Sequence, residues 1–244
     1  MASLFDGTSG KDDIGEIYRL MQENCPNPWS HSERLWKLRR ATHISDHSER
    51  RETMLEKAVA MLAKNNHLPG WYNQCPAASG IGDSSRNRGS RIDLVHWSET
   101  DKQARLIELK WYSDSPYEAV QQILRYGAAY AFCRRHKSKL RVQDREIMHA
   151  RHVSLQVAAP APYSNSIALD CLSQAREGLK KFETGLGIEA VSMSLDVLAF
   201  PEWFDDVPFS NGAEVSATCN RKDLTEEGRA IRNAFDGLTS VYPE

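Results

Sequence analysis

The sequence lacks the features that mark several large classes of protein. It contains no apolar run long enough to cross a membrane, and its first residues have neither the basic start nor the apolar stretch of a secretion signal. Its five cysteines are scattered and never spaced as Cys-x-x-Cys, which argues against a disulfide framework and against a zinc ribbon. The sequence therefore predicts a cytoplasmic protein with reduced thiols and no membrane partner.

A strongly basic composition is missing as well. The 31 lysines and arginines are balanced by 33 aspartates and glutamates, and the formal net charge is −2. A protein that binds nucleic acid often carries a basic field, so a nucleic-acid partner would need a local basic groove here. Arg86, Arg88 and Arg91 can supply such a groove by contacting a phosphate backbone, or they can simply keep a long hairpin loop soluble.

What the sequence does contain is a stretch in which charged and apolar residues alternate. Residues 91–97 and 105–111 are rich in branched, aromatic and leucine residues, and the polar residues between them predict a β-hairpin. Because side chains alternate across a strand, Glu108 and Lys110 should leave the sheet on the same face. Asp93 can lie beside Glu108 if the two strands pair in the matching register.

This arrangement would gather two carboxylates and one ammonium group in a small volume. Two close carboxylates repel each other unless a cation lies between them, and their oxygens are ligands that suit Mg²⁺ or Mn²⁺. A lysine beside that ion would supply positive charge where a phosphoryl transition state becomes more negative. Metal-assisted hydrolysis of a phosphodiester is the reaction that these groups fit best.

The same residues resemble the core of the PD-(D/E)XK nuclease superfamily. The resemblance rests on Ile92-Asp93 followed by Glu108-Leu109-Lys110, with isoleucine in the position of the proline in the family name. Gln122-x-x-x-Tyr126, on the next predicted helix, is similar to a motif of the exonuclease-like branch of the superfamily. The resemblance covers roughly residues 46 to 135, which is less than half of the chain.

The resemblance implies a role for each of the strand residues. Asp93, Glu108 and the backbone carbonyl of Leu109 would hold Mg²⁺ or Mn²⁺. Lys110 would orient the attacking water or stabilise the developing charge. The substrate would be a nucleic acid, with DNA favoured over RNA.

Two helices would complete this site. In the superfamily the helix before the sheet supplies a glutamate that helps to hold the metal, and the helix predicted there carries Glu52 and Glu56 on its apolar face. The sequence favours Glu56 slightly as the metal ligand, and Glu52 is then expected to contact the substrate. Alternatively, either glutamate pairs with a basic neighbour on the helix surface. On the helix after Lys110, Gln122 and Tyr126 would hold a phosphate or a terminal nucleotide; alternatively, Gln122 is exposed and Tyr126 packs beneath the sheet.

The remaining pattern predicts an α/β fold. Helices are expected at about 12–21, 30–40, 46–62, 116–135 and 168–182, with a last one ending near 235, and strands at about 71–74, 91–97, 105–111, 153–158 and 190–200. This order resembles the restriction-endonuclease-like αβββαβ core, a central mixed sheet flanked by helices. We expect a single domain over residues 1–244, with N-terminal helices in 1–45, the nuclease-like core in 46–200 and a C-terminal extension in 201–244.

Two other interpretations remain open. The chain can have the nuclease fold without the activity and serve as a nucleic-acid-binding or interaction subunit, which leaves room for a protein partner or a homo-oligomer. Alternatively, the Glu108 to Lys110 segment is only the solvated face of a strand, and the arginines after residue 85 bind a small acidic ligand.

Overall fold

The computed structural model describes residues 13–24, 35–43, 47, 50–77, 91–112, 115–186, 191–207, 212–219 and 223–242. Its helices are α1 (Asp13–Asn24), α2 (Arg51–Lys64), α3 (Pro116–Arg135), α4 (Ala161–Ser164), α5 (Leu169–Leu186), α6 (Gly212–Cys219) and α7 (Glu226–Asp236), with short 3-10 helices at Glu146–His149 and Glu202–Asp206. Its strands are β1 (Trp71–Pro76), β2 (Arg91–Ser98), β3 (Gln103–Leu109), β4 (His152–Pro160), β5 (Ser192–Phe200) and β6 (Thr239–Ser240). The predicted α/β class is confirmed.

The six strands form one mixed sheet in the order β1-β2-β3-β4-β5-β6. Strands β1, β2 and β3 are antiparallel neighbours, β3, β4 and β5 run parallel, and β6 is antiparallel to β5. Parallel neighbours need a crossover connection, which α3 provides between β3 and β4 and α5 provides between β4 and β5. The carboxyl ends of β3, β4 and β5 therefore lie at the same edge of the sheet.

Helices pack on both faces of the sheet and bury two apolar clusters. On one face α1, α3 and α5 cover a cluster that includes Leu106, Tyr130 and Val157. On the other face α2, α6 and α7 cover a cluster that includes Leu62 and Ile107. The apolar surface that these clusters remove from water is the main source of stability. Within the described residues, no helix is long and apolar enough to cross a membrane.

Helix α3 has the bounds that its sequence predicts. Ser115 accepts a hydrogen bond from the Glu118 N–H, the Glu118 carboxylate accepts one from the Ser115 N–H, and Pro116 opens the helix. Arg134 and Arg135 in the last turn complement the negative end of the helix dipole. These local signals fix the start of the helix that carries the proposed glutamine and tyrosine motif.

One expected N-terminal helix is wrong. Residues 35–43 are not helical, and residues 30–33, which would cap the expected helix, lie outside the described part of the chain. Trp36 has a φ of 56°, is fully buried, and meets the Tyr130 ring edge-on at 5.4 Å between ring centres. Its N–H donates to the Pro76 carbonyl at 2.8 Å, so the segment lies beside β1. Tertiary burial of the tryptophan outweighs the helix propensity of the sequence.

The 3-10 helix Glu202–Asp206, which the sequence pattern did not predict, attaches the C-terminal extension to the sheet. Phe204 is 1% exposed, and its ring centre lies 4.9 Å from that of Phe200 and 5.8 Å from that of Trp111. The preceding Trp203 is 46% exposed. Two neighbouring aromatic residues therefore have opposite surroundings.

We expect Phe204→Ala to lower the free energy of unfolding by about 3–5 kcal/mol, because truncating a packed aromatic side chain leaves a cavity. Trp203→Ala, its matched neighbour, should lower it by less than about 1 kcal/mol, since much of that side chain is already in water. Chemical denaturation followed by circular dichroism measures both values. Equal losses for the two variants would contradict this assignment of the core.

Candidate functional site

The candidate site lies where the pairing of β2 with β3 ends. The register runs from Ser98 with Gln103 to Leu94 with Ile107. Just beyond that last pair, the Asp93 carboxylate accepts the Leu109 N–H at 3.0 Å between Oδ2 and N. A side chain therefore caps the end of the ladder, and Asp93 is held close to the last residues of β3.

Glu108 and Lys110 meet on one side of the chain, as strand alternation predicts, although β3 ends one residue before the lysine. The Lys110 Nζ lies 3.1 Å from the Glu108 Oε1, and the two side chains are 6% and 3% exposed. The other oxygen of Glu108, Oε2, is buried without a hydrogen-bond partner in the described residues. A buried acceptor without a donor costs free energy, so this oxygen is suited to receive a ligand.

Helix α3 brings Gln122 and Tyr126 to the same place. The Lys110 Nζ donates to the Gln122 Oε1 at 3.5 Å, the Gln122 Nε2 donates to the Tyr126 hydroxyl at 3.2 Å, and that hydroxyl donates to the Arg91 carbonyl at 2.8 Å. Gln122 is half-buried, whereas Tyr126 is buried and takes part in this chain of hydrogen bonds through its hydroxyl. Burial raises the pKa of Tyr126, and the nearby Glu108 carboxylate adds to the shift, so the hydroxyl stays protonated.

Helix α2 contributes Glu56, which is 4% exposed. Its Oε1 accepts a hydrogen bond from the Asn73 Nδ2 at 3.0 Å, and its Oε2 accepts one from the Gln74 Nε2 at 2.8 Å. The Lys57 Nζ lies 3.4 Å from Oε1. Glu56 also acts on the Asp93 carboxylate through its charge, which places the two acids near each other.

Glu52, one turn earlier on α2, holds the segment that follows Lys110. Its Oε1 accepts the Trp111 N–H at 2.6 Å, and its charge also acts on Asp93 and Glu108. The neighbouring Arg51 guanidinium lies 4.5 Å from the centre of the Trp111 ring. Both helix glutamates therefore border the site, but Glu56 contacts the side-chain amides of β1, whereas Glu52 contacts the backbone after Lys110.

The electrostatics of the site follow from burying several acids together. Burial raises the pKa of Asp93 to about 7, and repulsion from Glu56 adds to the shift, while the Leu109 N–H and the Lys110 charge oppose it. Burial also raises the pKa of Glu108 well above its usual range, again with repulsion from Asp93 and relief from Lys110. Negative charge in this volume is therefore under-compensated by the protein.

These residues suit a divalent cation in chemistry but do not form a complete set of ligands. Within the described residues, no three His, Cys, Asp or Glu side chains are grouped so that they could hold a metal ion. Lys110 occupies one oxygen of Glu108, and amide donors occupy both oxygens of Glu56. In favour of a cation are the unpartnered Glu108 Oε2 and the raised pKa values of Asp93 and Glu108, which burial and repulsion between carboxylates cause and which a bound cation would oppose.

The arginines of the sequence prediction are placed only in part. Arg86 and Arg88 lie outside the described residues. Arg91 is exposed at the start of β2, and its Nη1 donates to the Gln74 Oε1 at 2.8 Å. Arg91 is thus linked through Gln74 to Glu56, at the border of the site.

Asn73 and Gln74 are site residues that sequence reasoning missed. Asn73 is fully buried, and its amide bonds both Glu56 and the Ala41 backbone. Gln74 has a φ of 51°, a backbone conformation that few residues other than glycine adopt. A polar side chain on the apolar side of a short strand is a signal for Asn73, whereas nothing in the local pattern indicates the turned backbone of Gln74.

The raised pKa of Asp93 makes a prediction about stability in the absence of metal. An acid whose pKa is higher in the folded protein than in the unfolded chain binds more protons when folded, so stability falls as the pH rises from the ordinary value of 3.8 to about 7. In Asp93→Asn, whose amide oxygen can still accept the Leu109 N–H, the fall in unfolding free energy between pH 4 and pH 8 should be smaller by about 2–4 kcal/mol.

Urea denaturation in EDTA across this pH range measures the effect. Asp101→Asn, at an exposed position in the β2–β3 hairpin, is the matched control and should keep the slope of the wild-type protein. A slope in Asp93→Asn that equals the wild-type slope would show that Asp93 is ionised throughout.

Comparisons with known proteins were made at the level of family, sequence and structure. The chain matches no family model, no curated protein and no solved structure. What the site does is therefore inferred from its own side chains.

Proposed function

We propose that the protein is a metal-dependent nuclease that hydrolyses phosphodiester bonds, with DNA favoured over RNA. The observation that carries the proposal is the meeting of Asp93, Glu108 and Lys110 at the end of the β2–β3 hairpin, with one Glu108 oxygen buried and unpartnered. The residue types and their spacing in the sequence already predicted that these three side chains meet. Their burial in one volume, with raised pKa values, supports it independently.

The architecture supports the same family resemblance. Helix α2, strands β1 to β3, helix α3 and strand β4 follow one another in the αβββαβ order, and β4 runs parallel to β3 as its neighbour. Gln122 and Tyr126 on α3 contact each other and, through Gln122, the lysine of the Glu-x-Lys motif. We therefore propose a restriction-endonuclease-like core of the PD-(D/E)XK type, in the branch with the Gln-x-x-x-Tyr motif.

The chain's own residues have distinct parts in this proposal. Asp93, Glu108 and the Leu109 carbonyl would hold Mg²⁺ or Mn²⁺, with Glu56 or Glu52 completing the set. Such an ion, when bound, lowers the pKa of water and neutralises phosphate charge. A cation held by Glu108 would weaken the ion pair of this carboxylate with Lys110, whose ammonium could then contact the substrate.

Lys110 would then stabilise the charge that develops on the phosphate. Gln122 already contacts the Lys110 ammonium, and Tyr126 fixes Gln122, so both residues position the lysine. The Glu52 carboxylate, through the Trp111 N–H, holds the backbone next to Lys110. These three side chains thus restrict where the ammonium can lie, which is how a preorganised site gains rate.

A second candidate is a protein with this fold that no longer cuts and instead binds nucleic acid or a partner. The observation in its favour is that Lys110 itself compensates Glu108, while the described residues include no complete group of three metal ligands. In this case the buried ion pair would be purely structural, and divalent cations would have no effect on the protein.

We expect Lys110→Ala to lower the rate of DNA cleavage at least about 100-fold, because it removes charge stabilisation of the transition state. The measurement is cleavage of linear, circular and single-stranded DNA in Mg²⁺, Mn²⁺ and EDTA. Lys102→Ala, in the hairpin turn, is the control and should cut like the wild type. Undiminished cutting by Lys110→Ala would sink the assignment of the site, and the circular substrate shows whether cleavage needs an end.

Metal binding separates the two candidates. We expect Mn²⁺ at 100 times its dissociation constant to stabilise the wild-type protein by about 2.7 kcal/mol, and Asp93→Ala and Glu108→Gln to lose this effect. Calorimetric titration gives the affinities, and the same titration of Glu52→Gln and Glu56→Gln identifies the helix ligand by the larger loss. A wild-type protein that neither binds Mn²⁺ nor cuts would favour the inactive candidate.

A further inference from the structure

We propose that a second pocket, beside the candidate site, binds a nucleobase that carries an exocyclic amino group. The pocket has a volume of about 220 Å³ and lies at the carboxyl ends of β4 and β5. Its lining combines apolar residues, among them Pro160, Phe200 and Pro201, with the polar residues Asn165, Glu202 and Asp205. The inference rests on the proposed function, since the base would belong to the strand whose phosphate lies near Lys110.

The pocket and the candidate site share one edge of the sheet. Lys110 directly follows β3, and its N–H donates to the Ala158 carbonyl of β4 at 3.0 Å. Pro160 lies two residues further along β4, and the Trp111 ring centre is 5.6 Å from that of Phe200. Ligands of open α/β sheets bind outside the carboxyl ends of parallel strands, and the pocket lies at that edge, next to the strand end that carries Lys110.

Two exposed aromatic side chains lie next to the pocket. Trp203, 46% exposed, stands in the sequence between the lining residues Glu202 and Asp205, and Tyr112, 58% exposed, donates its hydroxyl to the Asp205 Oδ2 at 3.5 Å. Tyr112 also has a φ of 63°, an unfavourable conformation for a tyrosine, two residues after Lys110. Exposed aromatic faces of this kind are surfaces on which unpaired bases stack.

The two acidic residues of the pocket select the kind of base. The carboxylates of Glu202 and Asp205 accept hydrogen bonds, and the exocyclic amino groups of cytosine and adenine are donors, whereas thymine has none. The backbone that carries these acids is fixed by Arg51, whose Nη2 donates to the carbonyls of Phe204 and Asp205, both at 3.0 Å. The Arg51 guanidinium also interacts with the charge of Asp205, which reduces the repulsion between that carboxylate and a nucleic-acid backbone.

The test is binding of short labelled oligo-dC and oligo-dT, measured by fluorescence anisotropy in EDTA so that no strand is cut. We expect wild-type protein to prefer oligo-dC, Trp203→Ala to weaken the binding of both about tenfold, and Asp205→Ala to remove the preference. Glu177→Ala removes the same charge from an exposed position on α5 and should leave both affinities unchanged. Circular dichroism establishes that each variant is folded, and Glu202→Ala provides a second test of the acceptors.

Each outcome decides between this pocket and its alternatives. Unchanged affinities in Trp203→Ala, or a dC preference that survives both Asp205→Ala and Glu202→Ala, would overturn the proposal. Binding of a lysine-rich peptide that depends on Asp205, with no oligonucleotide binding, would overturn it in favour of a basic protein partner. The binding assay contains no metal, so its result is independent of cleavage. If oligonucleotide binding depends on Trp203 but the protein does not cleave DNA, the proposed nuclease activity is rejected and the proposed base pocket is supported.

Discussion

The burial of several carboxylates around one lysine is the constraint on which the rest of the site depends. Asp93, Glu108 and Glu56 all have a raised pKa because burial removes each from water, and repulsion from neighbouring acids adds to the shift of Asp93 and Glu108. Lys110 pairs with Glu108 at contact distance, and Lys57 pairs with Glu56. Replacing such a buried group with apolar residues is often neutral or stabilising, so its presence is an argument for function.

The fold meets this constraint by bringing different elements to the end of one hairpin. The Asp93 carboxylate accepts the Leu109 N–H where the ladder stops, α2 contributes its glutamates, and α3 contributes Gln122. The side-chain amides of Asn73 and Gln74 on β1 hydrogen-bond Glu56, and that of Gln122 on α3 hydrogen-bonds Lys110, where further ions could have done so. Because amides carry no net charge, they hold the acids in place without relieving the excess of negative charge. This excess of negative charge would favour the binding of a cation.

Sequence reasoning succeeded where the signal was local. Strand alternation placed Glu108 and Lys110 together, and Pro116 with the apolar spacing that follows it set the start of α3. It failed where distant contacts decide. Residues 35–43 are not helical because Trp36 is buried against Tyr130. The Gln74 contact with Glu56 depends on the positive φ of Gln74, which the neighbouring sequence does not predict.

The same contrast between local and distant contacts explains why the sequence favours Glu56 only slightly over Glu52. Both lie on the apolar face of α2, yet Glu56 is held by two amides from β1, whereas Glu52 accepts the backbone N–H next to Lys110. A ligand that draws Glu56 away must break two hydrogen bonds between side chains, each worth about 1 kcal/mol net. Drawing Glu52 away would instead loosen the segment that carries Lys110. The helix glutamate that a cation recruits therefore decides whether metal binding leaves Lys110 fixed or sets it free.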